Sequence, residues 1–169
     1  MTDDRIDSLV NHYKPKGILV DTNILLLLFI GSVNRQRISK FNRTEQFAPK
    51  DYDLLVNFLG YFSKIVTTPN ILTEVNSLTS KIKEPERSQC FEKLAEALST
   101  NELIKLDEHY ITSSIITRVH GFSRFGLTDC GILELAHNRY LVLTDDLKLA
   151  VHLQSSDVHT INFNHIRNI

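Results

Sequence analysis

The chain has 169 residues, 42% hydrophobic and 23% charged, with a formal net charge of -1; this suits one globular domain over 1–169, leaves disorder without support, and gives no global pull toward a polyanion. Two cysteines, Cys90 and Cys130, are too few for a disulfide framework and form no metal-binding pair, so a reduced, cytoplasmic setting is expected. The start, Met1 to Asp7, carries three aspartates rather than a basic-then-apolar leader, and the longest apolar run, Ile24 to Ile30, is far short of the ~20 residues of a membrane span.

Gly17-Ile18-Leu19-Val20 is a short continuous apolar run, the form of a strand buried on both faces of a parallel sheet. Asp21-Thr22-Asn23 supplies helix-capping residues, and Ile24 to Phe29 continues as an apolar helix. Gly31 to Lys50 has no clear period and reads as a long loop or insertion. Leu54, Leu55, Phe58, Leu59 and Phe62 repeat at helical spacing over Asp51 to Phe62. Ile65-Val66-Thr67 is a second strand, and Thr68-Pro69 opens a helix running to about Ser80. Phe91, Leu94, Ala95 and Leu98 mark another helix after Pro85. Leu103 to Leu106 is a third strand candidate, followed by a helix over Asp107 to Val119. Thr128 is expected to cap a helix ending near His137. Leu141-Val142-Leu143 is a fourth strand, Asp146 to Leu153 a short helix, and Val158 to Ile161 an edge strand. Alternating strands and helices predict an α/β fold: a mostly parallel sheet of four to five strands with helices on both faces.

The acidic residues fall at telling places. Ligands of an open parallel sheet bind beyond the carboxyl ends of its strands. Asp21 follows the first strand, and Asp145 and Asp146 follow the fourth, so all three point toward one sheet edge. Glu74 lies three residues after Ile71 and four before Leu78, on the border of an apolar helix face. Asp129 precedes Ile132 and Leu133 by three and four residues and shares their face. Each acid alone has a plain structural role: Asp21 as a helix cap, Glu74 as a side chain reaching water, Asp129 as an acid favoured by a helix dipole. Several helix starts, each with an acid facing the same edge, make a shared role the stronger reading. Clustered carboxylates repel, and a divalent ion relieves them. Oxygen donors without a cysteine or histidine pattern select Mg²⁺ or Mn²⁺, and such ions suit phosphodiester hydrolysis.

Val20-Asp21-Thr22-Asn23-Ile24-Leu25 resembles the opening motif of PIN domains. Thr73-Glu74-Val75 resembles their second acidic position, and Leu127-Thr128-Asp129-Cys130-Gly131-Ile132-Leu133 their third. Leu143-Thr144-Asp145-Asp146-Leu147-Lys148-Leu149 is similar to the fourth, and the order of all four holds over roughly residues 17 to 163. The resemblance implies a PIN-like three-layer fold and a Mg²⁺- or Mn²⁺-dependent endoribonuclease, as in the toxins of bacterial toxin–antitoxin pairs and in RNA-processing factors. It makes Asp21, Glu74, Asp129 and Asp146 the catalytic, metal-binding quartet, with Asp145 a further metal candidate. The usual single residue between threonine and aspartate favours Asp146 over Asp145. Asn23 and Thr144 would then orient carboxylates or a water. RNA, an antitoxin or other regulatory protein, and a second copy of the chain are the partners it implies; no membrane is among them. The Gly31–Lys50 segment makes the chain longer than a minimal toxin of the family, so the resemblance bears on nuclease chemistry more directly than on a toxin role.

For holding RNA, the sequence offers Arg35, Arg37, Lys40 and Arg43, with Lys50 nearby and only Glu45 opposing them. Phe41 and Phe47 are interleaved; they would either stack on bases or anchor the loop to the core. Lys81, Lys83 and Arg87 are diluted by Glu84 and Glu86 and read as a solvated turn. The seven histidines form no nucleophile motif and are expected to be structural or superficial. Two other functions compete. A phosphoryl-transfer domain of the haloacid dehalogenase or receiver kind would need a second aspartate where Asn23 stands, or a lysine near the last strand. A non-catalytic PIN-like scaffold would bind RNA or protein without cutting; the filled acidic positions speak against it.

Overall fold

A computed structural model describes residues 2–99 and 106–167. Five short strands form one sheet: β1 (Ile18–Val20), β2 (Ile65–Thr67), β3 (Leu106–Glu108), β4 (Leu141–Thr144) and β5 (Thr160–Asn162). Their order is β3-β2-β1-β4-β5 and every neighbouring pair is parallel, with Ile18 registered against both Ile65 and Leu141. The expected α/β class, with a sheet flanked by helices, is the observed one. Parallel pairing demands crossovers, and the helices supply them. The β1, β2, β4 and β5 residues are buried throughout, which is why their sequences are continuous rather than alternating.

Nine helices are described: α1 (Thr2–Tyr13), α2 (Thr22–Val33), α3 (Pro49–Leu59), α4 (Pro69–Thr79), α5 (Glu86–Ser99), α6 (Ser113–Ile116), α7 (Phe122–Ala136), α8 (Leu147–Ser155) and α9 (Phe163–Arg167). The α2 helix is apolar on every side because it runs through the interior, with Ile24 to Ile30 all buried. A continuous core joins these residues to β1, β4, α3 and the far end of the chain at Phe163.

Several expectations need correction. Residues 2–13 form a helix that the sequence reading did not include. The segment Gly31 to Lys50 is not a loop throughout: α2 extends to Val33, a 3₁₀ helix spans Arg35–Lys40, and Pro49 already opens α3. Asn34 makes that junction, its side chain accepting from the Gln36 amide. Of the third strand expected at Leu103 to Leu106, residues 103–105 lie outside the described residues, and β3 begins at Leu106. Asp107 to Val119 is not one helix. Its first residues pair with β2, and only Ser113–Ile116 is helical. Polar Asp107 can stand in a strand because β3 is an edge, where its carboxylate meets Lys64 and His109.

The sheet order fixes where a ligand can sit. From β1 the chain builds outward to β2 and β3 on one side, then returns to build β4 and β5 on the other. The crevice at such a reversal lies between β1 and β4, beyond their carboxyl ends.

Candidate functional site

Asp21 and the Asp145-Asp146 pair leave β1 and β4 at that crevice, so the reversal of the sheet brings them together. Asp21 is 7% exposed and caps α2: its Oδ1 accepts from the Thr22 amide at 2.6 Å. Its Oδ2 accepts from the Thr144 hydroxyl at 2.7 Å. The same Thr144 oxygen accepts the Asp146 amide at 3.0 Å, so one threonine at the end of β4 ties the two junctions together. Burial pushes the Asp21 carboxyl up to about 6, against the two hydrogen bonds, with Asp145 and Glu74 adding repulsion.

Glu74 comes from α4, which is capped by Thr68. Two threonines hold it: Thr22 donates to Oε2 at 2.8 Å and Thr128 to Oε1 at 2.5 Å. Thr128 therefore does not cap a helix. The helix of the third motif starts earlier, at Phe122, and is broken at Gly126, whose φ of 76° and ψ of -171° no residue with a side chain adopts cheaply. That break releases Thr128 to reach α4 and turns Asp129 toward the other acids.

Asp129 is half-buried and takes part in no side-chain hydrogen bond among the described residues. Its carboxyl is pushed up to about 7, first by burial and then by Asp21, Glu74 and Asp146. It is the carboxylate most in need of a counter-charge.

Asp146 and Asp145 divide the end of β4 between them. Asp146 is exposed and caps α8, its Oδ1 accepting from the Lys148 and Leu149 amides at 2.7 and 3.1 Å. Asp145 is half-buried. Its Oδ2 accepts from Gln46 at 2.9 Å and, at the long distance of 3.4 Å, from Asn23; its Oδ1 is buried without a partner. Burial raises the Asp145 carboxyl, against the Gln46 and Asn23 bonds. Asn162 and Asn164 donate to its backbone carbonyl. Asn23 thus reaches Asp145, while Thr144 bridges Asp21 and the Asp146 amide.

The donor set and its repulsion fit a hard divalent cation. Asp21, Glu74, Asp129 and Asp146 offer oxygens only, Asp129 lacks a hydrogen-bond donor, and Asp145 Oδ1 is a buried acceptor with none. The fit is one of chemistry and direction. No three His, Cys, Asp or Glu side chains among the described residues stand closely enough to hold an ion as they are.

The predicted basic segment is placed differently. Arg35, Arg37 and Lys40 lie past the far end of α2, a twelve-residue helix that carries them about 18 Å from Asp21. Arg35 pairs with Asp53 and lies over the Tyr52 ring; Arg37 pairs with Glu86. Lys40 lies within electrostatic reach of the same Glu86. Only Arg43 is on the stretch that returns to the site, three residues before Gln46. Phe41 and Phe47 are buried, Phe47 edge-on to Phe163, so they anchor the segment and do not offer faces to bases.

Four contributors escaped the sequence reading: Thr22, Thr128, Gln46 and Asn164. The two threonines are each next to an acid and were visible as such; Gln46, in an aperiodic stretch, carried no signal. A cavity of about 520 Å³ lined by His109, Tyr110, Leu133, His137 and Arg139 lies at the other end of α7 and takes in none of these acids. No family model, curated protein or solved structure matches the chain.

Proposed function

We propose that the chain is a PIN-like, Mg²⁺- or Mn²⁺-dependent endoribonuclease that hydrolyses RNA phosphodiester bonds at the β1–β4 edge. The observation that carries this reading is Asp129: a half-buried carboxyl without a donor, held up to about 7 by burial and by three acids from three other segments of the chain. Stability alone would not select such an arrangement, because each acid raises the cost of ionising its neighbour.

Asp21, Glu74, Asp129 and Asp146 would hold the cation, with Asp145 Oδ1 as an additional acceptor beside it. A bound divalent ion supplies Lewis acidity toward a phosphoryl oxygen and makes a water acidic enough to attack near neutral pH. The remaining work belongs to the protein. Thr144 fixes the Asp21 carboxylate plane, Thr22 and Thr128 clamp Glu74 from both sides, and Asn23 with Gln46 turns one Asp145 oxygen inward.

One observation favours a second reading, a PIN-like scaffold that binds RNA or protein without cutting: the acids converge but are not gathered at coordinating distance. Cleavage of a labelled structured RNA in Mn²⁺, Mg²⁺ or EDTA separates the two. The nuclease reading expects metal-dependent cutting that Asp21→Asn and Asp129→Asn both abolish. Cutting that survives both substitutions, or none across a broad RNA panel, would sink it.

A further inference from the structure

A site built from acids repels its own polyanionic substrate, so cations must stand beside it to draw the strand in. The Arg35–Lys40 run cannot do this, because Arg35 and Arg37 are spent on Asp53 and Glu86 at the far end of α2. The α8 helix places Lys148 beside the carboxylate edge, and the first turn of α7, which carries Arg124, packs against α8. Lys148 is two residues past Asp146, in the first turn of α8, and its amide donates to that carboxylate. His152 follows one turn later on the same face of α8. The Phe125 ring lies flat on the His152 imidazole, with centroids 4.1 Å apart and planes 8° from parallel. Gly121 closes on the edge of that imidazole, where an added Cβ would stand 3.2 Å from His152 Cε1. This stack pins the first turn of α7 to α8, and so fixes the spacing between the two helices' cations. Arg124, adjacent to the stack, rests its guanidinium 5.1 Å from the Phe125 centroid. His120 flanks it, near enough with Arg124 to act electrostatically on His152. Arg124, His120 and Lys148 are exposed, and none forms an ion pair among the described residues.

We infer that Lys148 and Arg124, held in register by the Phe125–His152 stack and flanked by His120, form the track that guides an RNA phosphate backbone to the carboxylate edge. This rests on the nuclease reading and adds where its substrate lies. The track begins at the helix that Asp146 caps and runs along the α7 side, away from Gln46. A guanidinium resting on an aromatic ring keeps its outer N–H groups directed to solvent, where they suit phosphate oxygens. Exposed Leu147 and Leu127 beside the acids give bases and ribose apolar ground on the way in.

The test is fluorescence anisotropy of a labelled RNA with the full chain in EDTA, where cutting cannot intervene, over a range of salt. Comparing wild type, Arg124→Ala/Lys148→Ala and Lys40→Ala/Arg43→Ala, the first double variant should bind about tenfold or more weakly. It should also lower the slope of log K against log salt by roughly 1 to 2. Arg124→Lys/Lys148→Arg, which keeps both charges, should keep the salt slope near that of wild type and so separates lost charge contacts from lost folding. Affinity and slope unchanged in Arg124→Ala/Lys148→Ala would overturn the track. If wild type still cuts RNA in Mn²⁺, the nuclease reading survives that result; if wild type neither binds nor cuts, both fall. Displacement of the RNA by polyglutamate at equal charge would also overturn the assignment, in favour of an acidic protein segment.

Discussion

The two ends of α2 handle charge in opposite ways. At the N-terminal end, Asp21 faces Glu74, Asp129 and the Asp145-Asp146 pair, none of them ion-paired among the described residues, and burial holds Asp21 and Asp129 up to about 6 and about 7. At the C-terminal end, cations and acids are matched: Glu86 takes Arg37 and Asn34, and Asp53 takes Arg35. Hydrogen bonds from Asn34 and Arg37 hold the Glu86 carboxyl below its ordinary value. Paired charge contributes to the fold. Unpaired charge weakens it, because each acid raises the cost of ionising its neighbour.

The sharpest way to break this comparison is to neutralise one member of each end. Asp129→Asn should lower RNA cleavage by at least about 100-fold, since even residues that merely orient metal ligands cost up to about that much. In EDTA at pH 8 it should leave the melting temperature unchanged or higher, because it removes repulsion. Glu86→Ala should do the reverse: cleavage within about twofold of wild type, and about 1 to 2 kcal/mol of stability lost in urea titration, from a half-buried carboxylate with two partners.

The pH dependence sharpens the contrast. A carboxyl near 4 in the unfolded chain and near 6 or 7 when folded binds more protons folded than unfolded between those values. Stability of the metal-free protein should therefore fall as pH rises from about 4 to about 7, then level off. Glu86 and Asp107, whose carboxyls are held low, act with the opposite sign, and only below the usual carboxylate range. Melting curves in EDTA at pH 5 and pH 8 should differ in that direction for wild type and by less for Asp129→Asn. A wild type that melts higher at pH 8 would contradict the electrostatics described here.

The smallest effect concerns the long segment between α2 and α3. Gln46→Ala leaves Asp145 with only the long bond from Asn23, and should cost a few-fold in cleavage or metal affinity and about 0.5–1 kcal/mol in stability. Equal loss from Gln46→Ala and Asp129→Asn would mean that Asp145 carries more of the site than an additional acceptor should.

The strands β1, β2 and β4 and the acids that follow them were legible because full burial writes itself as continuous apolar runs, and the chain must turn where those runs stop. The edge strand β3 was legible only at Leu106, its first residue, since a strand buried on one side can carry Asp107 and so loses the apolar signal. Thr128 was legible as a residue but not in its role: a helix cap and a hydrogen bond to Glu74 look alike until Gly126 breaks the helix. The acidic partners of the basic residues were hidden for a related reason. Arg35, Arg37, Lys40 and Arg43 are neighbours in sequence, yet the length of α2 and the presence of Glu86 and Asp53 decide what they do. Arg124 and Lys148 are 24 positions apart in sequence, and the stack of Phe125 on His152 ties together the two helices that carry them.

The central claim is that the acids at the β1–β4 edge are a cation site. Thermal unfolding at pH 8 with increasing MnCl₂, in wild type and Asp129→Asn, tests it most directly. A site of this kind predicts a wild-type melting temperature that climbs with Mn²⁺, about 2.7 kcal/mol of stabilisation at a hundredfold excess over the dissociation constant, and little or no climb in Asp129→Asn. An equal response in the two proteins, or none in either, would contradict it.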